Sequence, residues 1–173
     1  MSNQTSTDQS IGLIALSIGL GCGFILLVPF IFFMLVFATV IPSIGQYLEG
    51  SLNISKLSKG QEDYFFINNR FTSQISDLNL DIKSETNNYS YRINVVDPEK
   101  SVKITAKAKK KELSSYTSAV FAIKADSKNQ QNTLTKICWS KVDSLNPPEM
   151  PKLIGNKAQC SPGSNSFSLT EEP

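Results

Sequence analysis

No charged side chain lies between Asp8 and Glu49, and from Ile11 to Ile41 the chain is apolar apart from small residues such as Ser17, Cys22 and Thr39. A bilayer core is crossed by about 20 apolar residues in helix. This stretch is longer, so it spans with tilt or with a projecting end. Its densest part runs from Phe24 to Ile41, and Phe24, Leu27, Pro29, Phe33, Leu35 and Ile41 are assigned to the span. The expectation is a single helix kinked near Pro29. Two other readings stand beside it. A cleaved signal peptide would have a basic start and a short apolar core, whereas residues 1–10 carry no Lys or Arg. A hairpin broken at Gly19, Gly21, Gly23 and Pro29 would have legs of about 15 residues, short for a crossing.

The rest of the chain is enough for one ordinary domain. The division reads as a polar tail over 1–10, a transmembrane segment over 11–41, a globular domain over 42–167 and a loose tail over 168–173. A net charge of +2, from 17 Lys and Arg against 15 Asp and Glu, names no partner. There is no histidine, which removes the commonest general base near neutral pH and the commonest zinc ligand. No phosphate loop, dinucleotide fingerprint, nucleophile elbow or zinc-protease helix occurs. Glu62, Asp63 and Asp77 are the carboxylates near the helix and loop, and nothing pairs them with a nucleophile, so they read as surface charge. The expectation is a protein that is not an enzyme, with no cofactor, no metal and no small-molecule substrate. Asn53 and Asn88 match the N-glycosylation pattern, which is common by chance.

Cys22 reads as a small buried residue. Cys138 and Cys160, separated by a polar, proline-containing loop, read as a disulfide formed in an oxidising compartment. The loop-entropy model makes such a closure worth roughly 3 kcal/mol. Two free cytosolic thiols are the competing reading. Orientation signals conflict. Lys56 and Lys59 follow the span while the N-terminal tail has no basic residue, which favours the domain inside. The cysteine pair favours the exported side. The latter is adopted: single-pass in the inner membrane, with the domain on the periplasmic or extracellular side.

From Ser43 to about Arg70 the pattern is helical, with Ile44, Leu48, Leu52, Leu57, Phe65 and Phe66 recurring on one side. A loop follows, with one helical turn at Ile75–Leu78 that Ser73 or Ser76 could cap. The period then changes to two. Tyr89 to Val95, Val102 to Ala108, Tyr116 to Ala125 and Thr133 to Val142 read as four strands of an antiparallel meander with one wet face. The helix covers the dry face, an α+β arrangement. Trp139 reads as packing beside the disulfide. The tail from Asp143 reads as loop held by the cysteines.

The lysines at 103, 107, 109, 110 and 111 are the densest charge cluster. Lys103, Lys107, Lys109 and Lys111 would share the outward face of one strand, a patch for DNA, anionic polysaccharide or lipid head groups. A solvated face that discourages edge pairing is the plainer reading.

Phe65 to Ile93, FFINNRFTSQISDLNLDIKSETNNYSYRI, resembles the cyanobacterial type IV pilin-like G and H proteins, which carry an aromatic pair, a short loop and a DL-L-I--ET-NY-Y pattern. Tyr116 to Ala122, YTSAVFA, resembles their next strand. Ile137-Cys138 with the distant Cys160 resembles their C-terminal cysteine loop, and Ile41-Pro42-Ser43 the end of a pilin's apolar half-helix. The resemblance covers about Thr39 to Phe167. It implies a long N-terminal helix, its first half in the membrane, packed on a four-stranded antiparallel sheet. It also implies a non-catalytic role in pili or a type II secretion pseudopilus. Membrane lipid and other pilin-like or secretion-system proteins are the implied partners. The sequence departs from the pattern at its start. Val28 stands where the glutamate after Gly23-Phe24 would be, or Ile25 when the count runs back from Pro42, and no glutamate precedes Glu49. The expectation is a pilin domain on a permanent anchor, in a minor or accessory role.

Overall fold

The computed structural model describes residues 8–124, 131–140 and 144–169, with the side chains of 8–28, 37–44, 47, 124, 131 and 168 outside the description. The chain divides into two compact units, Met1–Ile44 and Gly45–Pro173. One helix, α1, is assigned over Asp8–Asn68, through Gly19, Gly21, Gly23 and Pro29.

In the first unit, Phe30 to Val36 form a run of exposed apolar side chains, with Phe33 at 56% and Leu35 at 61%, and Pro29 is exposed too. The side chains of Phe24, Leu27 and Ile41 lie outside the described residues. Among the described residues, no helix is long and apolar enough to cross a membrane.

In the second unit, Ile54, Leu57, Ser58, Gln61 and Phe65 recur at spacings of three and four, and all are buried. That is a stripe facing a core. It corrects the expected stripe: Leu57 and Phe65 belong to it, but Leu48, Leu52 and Phe66 are 49, 54 and 51% exposed. Ser58 and Gln61 occupy core-facing positions that a search for apolar residues passes over. The helix ends where Asn69 turns left-handed (φ 53), its amide closing on the Phe65 carbonyl at 2.8 Å. Asparagine tolerates that conformation better than most residues.

Phe71 then stacks on Phe65 with ring centroids 4.6 Å apart. The 3-10 turn Ile75–Leu78 starts at Gln74, whose side chain makes no capping bond. Neither Ser73 nor Ser76 caps it. The Thr72 hydroxyl accepts from the Gln74 amide at 3.1 Å and donates to Asp77 at 2.6 Å.

Seven strands follow: β1 Tyr89–Asp97, β2 Ser101–Ala108, β3 Tyr116–Lys124, β4 Gln131–Ser140, β5 Lys152–Ile154, β6 Lys157–Gln159 and β7 Ser164–Ser168. The main sheet is antiparallel in the order β1-β2-β3-β4-β7, with β5 and β6 as a separate hairpin. The architecture is α+β as expected, but the sheet has five strands where four were read from the sequence. The fifth, Ser-Asn-Ser-Phe-Ser, has one apolar residue and so almost no period-two signal. Phe167 pairs in register with Ile137 and lies 5.6 Å from the Trp139 ring.

Side chains alternate across the sheet. Tyr89, Tyr91, Val102, Ile104, Val120 and Ile137 form the main core with Ile54, Leu57 and Phe65 of α1. The opposite face is not wholly wet, which corrects the meander reading. Ala119, Phe121 and Leu134 form a second cluster there with Ala158 of β6, flanked by Met150. A strand buried on both faces reads as a continuous apolar run, which accounts for the sequence YTSAVFAIKA. The tail expected as plain loop therefore carries a hairpin, turned at Gly155 with φ 60, and a sheet strand.

Candidate functional site

Three features of the second unit bear on function: the seam between α1 and the sheet, the C-terminal strap, and the open face of β1 and β2.

The seam is stitched by polar groups. Ser58 Oγ and Ser118 Oγ are 2.7 Å apart and both residues are fully buried. Thr135 Oγ1 donates to Glu62 Oε1 at 2.5 Å, and Lys59 reaches Glu62 Oε2 at 3.2 Å. Glu62 is 3% exposed, which corrects its reading as surface charge. Asp63 stays exposed and pairs with Lys59 at 3.2 Å. Burial opposes the Lys59 charge, but the hydrogen bonds it donates to Asp63 and Glu62 outweigh that and hold its pKa above the ordinary value. The Gln61 side-chain amide brackets the Thr72 backbone, donating to its carbonyl at 2.7 Å and accepting from its amide at 3.2 Å. Glu49 accepts from Thr86 Oγ1 and from Asn88 Nδ2, both at 2.6 Å. Both sequon asparagines are engaged here: Asn88 is buried and Asn53 Nδ2 donates to the Tyr91 hydroxyl at 3.0 Å. Burial pushes the Tyr89 and Tyr91 phenols well above their ordinary range.

The strap is the segment from residue 144 to Cys160. Cys138 and Cys160 form the expected disulfide, with Cα atoms 5.9 Å apart. Thr117 Oγ1 donates to the Pro148 carbonyl at 2.6 Å. Together these fasten the strap over the outer face of β3 and β4. Trp139 points the other way from Cys138, into a line of rings with Tyr116 at 6.5 Å and Phe167 at 5.6 Å. It is not beside the disulfide, because neighbours in a strand face opposite sides.

The expected lysine face is only partly assembled. β2 ends at Ala108, so Lys103 and Lys107 share its outer face. Lys109, Lys110 and Lys111 fall in the turn beyond. Pairing with β3 stops where the Ala108 amide donates to Ser115 Oγ at 3.0 Å, and the last rung to the β1 side is the Lys109 amide on the Asn88 carbonyl at 2.8 Å. Lys109 forms an ion pair with Glu85, and Lys110 donates to Gln46 Oε1 at 2.9 Å. Sequence reasoning missed Arg92, which lies on the outer face of β1 opposite Thr105. Pairing the alternating residues of β1 and β2 across the Asp97-Pro98 turn would have found it. Among the described residues, no group of three or more His, Cys, Asp or Glu could hold a metal ion.

The model of the type IV pilin-like G and H family matches residues 48–161. This bears out the family resemblance read from the sequence. No curated protein and no solved structure matches the chain.

Proposed function

The chain belongs to the type IV pilin-like G and H family, and on that footing we propose that it is a membrane-held accessory subunit of a pilus or a type II secretion pseudopilus. The family's role is structural rather than enzymatic. The observation that carries the reading is the extent of the match, residues 48–161. It takes in α1 from Leu48 onward, strands β1 to β6 and both cysteines of the disulfide.

Anchoring by residues 11–41 is supported by the charge-free gap between Asp8 and Glu49. Export of the domain is supported by the disulfide, since such bonds persist in oxidising compartments. Leu48 and Leu52, one helical turn apart and 49 and 54% exposed, offer an apolar helix face to other pilin-like or secretion-system subunits.

Photo-crosslinking tests this reading. A photoreactive residue in place of Leu48 or Leu52, in the full chain in its native cells, should yield adducts with the same chain or another pilin-like protein. Adducts at those positions with lipid alone would contradict a subunit role.

A further inference from the structure

We propose that the open outer face of β1 and β2 is a binding site for an acidic polysaccharide, held by Arg92, Lys103 and Lys107. Register places the three together. Lys103 pairs with Asn94, Thr105 with Arg92 and Lys107 with Ser90. Arg92 therefore stands diagonally between the two lysines. Diagonal cross-strand neighbours lie about 7–8 Å apart, and a rise of about 3.3 Å per residue sets Lys103 and Lys107 roughly 13 Å apart. All three alternate with the core-side residues Tyr91, Ile93, Val102, Ile104, Ala106 and Ala108, so they share the outer side.

Among the described residues, the cations of this face form no ion pair of their own. The ion pairs among the described residues engage Lys59, Lys100 and Lys109, and none engages Arg92, Lys103 or Lys107. Glu85, whose field reaches Arg92, is already held by Lys109 and by the Ser90 hydroxyl. Asn94 and Thr105 stand between the cations and supply hydrogen-bonding groups of the kind sugar hydroxyls need. The strap buries the outer residues Thr117, Ala119 and Phe121 of β3. The neighbouring strands β2 and β1 are left open beside it.

The composition of the face selects the ligand class. Its outer positions on β1 and β2 carry no aromatic residue, so single-stranded nucleic acid has no platform for base stacking. Affinity for duplex DNA comes mainly from the number of phosphates neutralised, and three cations release few counterions, with a salt slope of only about −2.7. An acidic polysaccharide has a sparser charge and many hydroxyls, which three cations interleaved with amide and hydroxyl groups suit.

The test uses the full chain in nonionic detergent with alginate, a carboxylated polysaccharide, as the probe. Changing Arg92, Lys103 and Lys107 together to Ser should weaken binding about tenfold or more at moderate salt and flatten its salt dependence. A control with the same charge loss, Lys56→Ser, Lys152→Ser and Lys157→Ser, should bind within about twofold of the parent. Thermal midpoints check that both variants are folded. Lys107→Glu alone, at the exposed end of β2, covers misfolding of the triple variant and should itself cut affinity severalfold. Failure of the parent to bind alginate would overturn the proposal. So would unchanged binding by the Lys107→Glu variant, or an equal loss in the control. Tighter binding of duplex DNA than of alginate at the same salt, lost with the same three residues, would overturn it in favour of nucleic acid.

Discussion

A Cβ atom built on Gly50 of α1 would lie 2.5 Å from Cζ of Tyr89 in β1, and 2.7 Å from its hydroxyl oxygen. No side chain fits there unless the ring moves, and the ring is held in place at that same end. The Tyr89 hydroxyl donates to the Ser114 carbonyl at 3.1 Å, and its ring lies 5.9 Å from Tyr91 and 6.4 Å from Tyr116. Glycine at this helical position is therefore a packing requirement. Gly50→Ala should gain about 1 kcal/mol of helix propensity yet lose more through overpacking, which costs about 1–3 kcal/mol. Chemical denaturation should show a net loss in the single variant, and that loss should largely vanish in a Tyr89→Leu background. A Gly50→Ala variant more stable than the parent would mean the helix does not approach β1 this closely.

The buried Ser58–Ser118 pair makes a second prediction. Ser58 also donates to the Ile54 carbonyl at 2.8 Å, so Ser58→Ala strands the Ser118 hydroxyl. Leaving one buried partner unpaired costs about 1–3 kcal/mol, whereas removing both can be nearly neutral. The Ser58→Ala, Ser118→Ala double variant should be no less stable than Ser58→Ala alone. Simple additivity of the two losses would show that the hydroxyls are not partners.

The strap supplies the third. Its disulfide joins residues 22 apart in sequence, and closure of a loop that size stabilises by about 3 kcal/mol in the chain-entropy model. Cys160→Ser should lower the unfolding free energy by about that much and open the segment between residues 144 and 160 to limited proteolysis. Identical unfolding midpoints with and without reductant would contradict the role given to the bond.

Alkaline titration supplies the fourth. Burial, followed by neighbouring charge, raises the Tyr89 phenol above its ordinary value of 10.0. Burial raises Tyr91 as well, with Glu49 adding to it against the Asn53 hydrogen bond, and burial raises Tyr116. A folded pKa above the unfolded one favours the neutral phenol in the native state. That stabilisation is whole below about pH 10 and is lost as pH rises toward the folded values. Thermal midpoints should fall above that point, and part of the phenolate absorbance should appear only with unfolding. Titration of every tyrosine at an ordinary pH in the folded protein would sink this reading.

How far the sequence reached can be traced residue by residue. Strands β1 to β4 were legible because Tyr89, Tyr91, Val102, Ile104 and their neighbours alternate cleanly with polar residues. Leu57 and Phe65 were legible as core. The seam was not, since Ser58, Gln61 and Glu62 are buried through hydrogen bonds that depend on Ser118, Thr72 and Thr135, residues distant in sequence. β7 was invisible because its one apolar residue, Phe167, takes meaning only beside Trp139. The disulfide was legible from two isolated cysteines, but what it fastens over Phe121 and Leu134 was not. The basic face was half legible: Lys103 and Lys107 follow from alternation, while Arg92 needs the β1–β2 register and Lys109 needs its partner Glu85.

Carbonate-washed membranes from the native cell distinguish an anchored, exported domain from a free one. Alkylation without reductant, followed by intact-mass measurement, reads both anchoring and export. The chain should stay in the washed membrane pellet with Cys138 and Cys160 oxidised and unalkylated. A chain released to the supernatant with both of those cysteines alkylated would contradict anchoring and export.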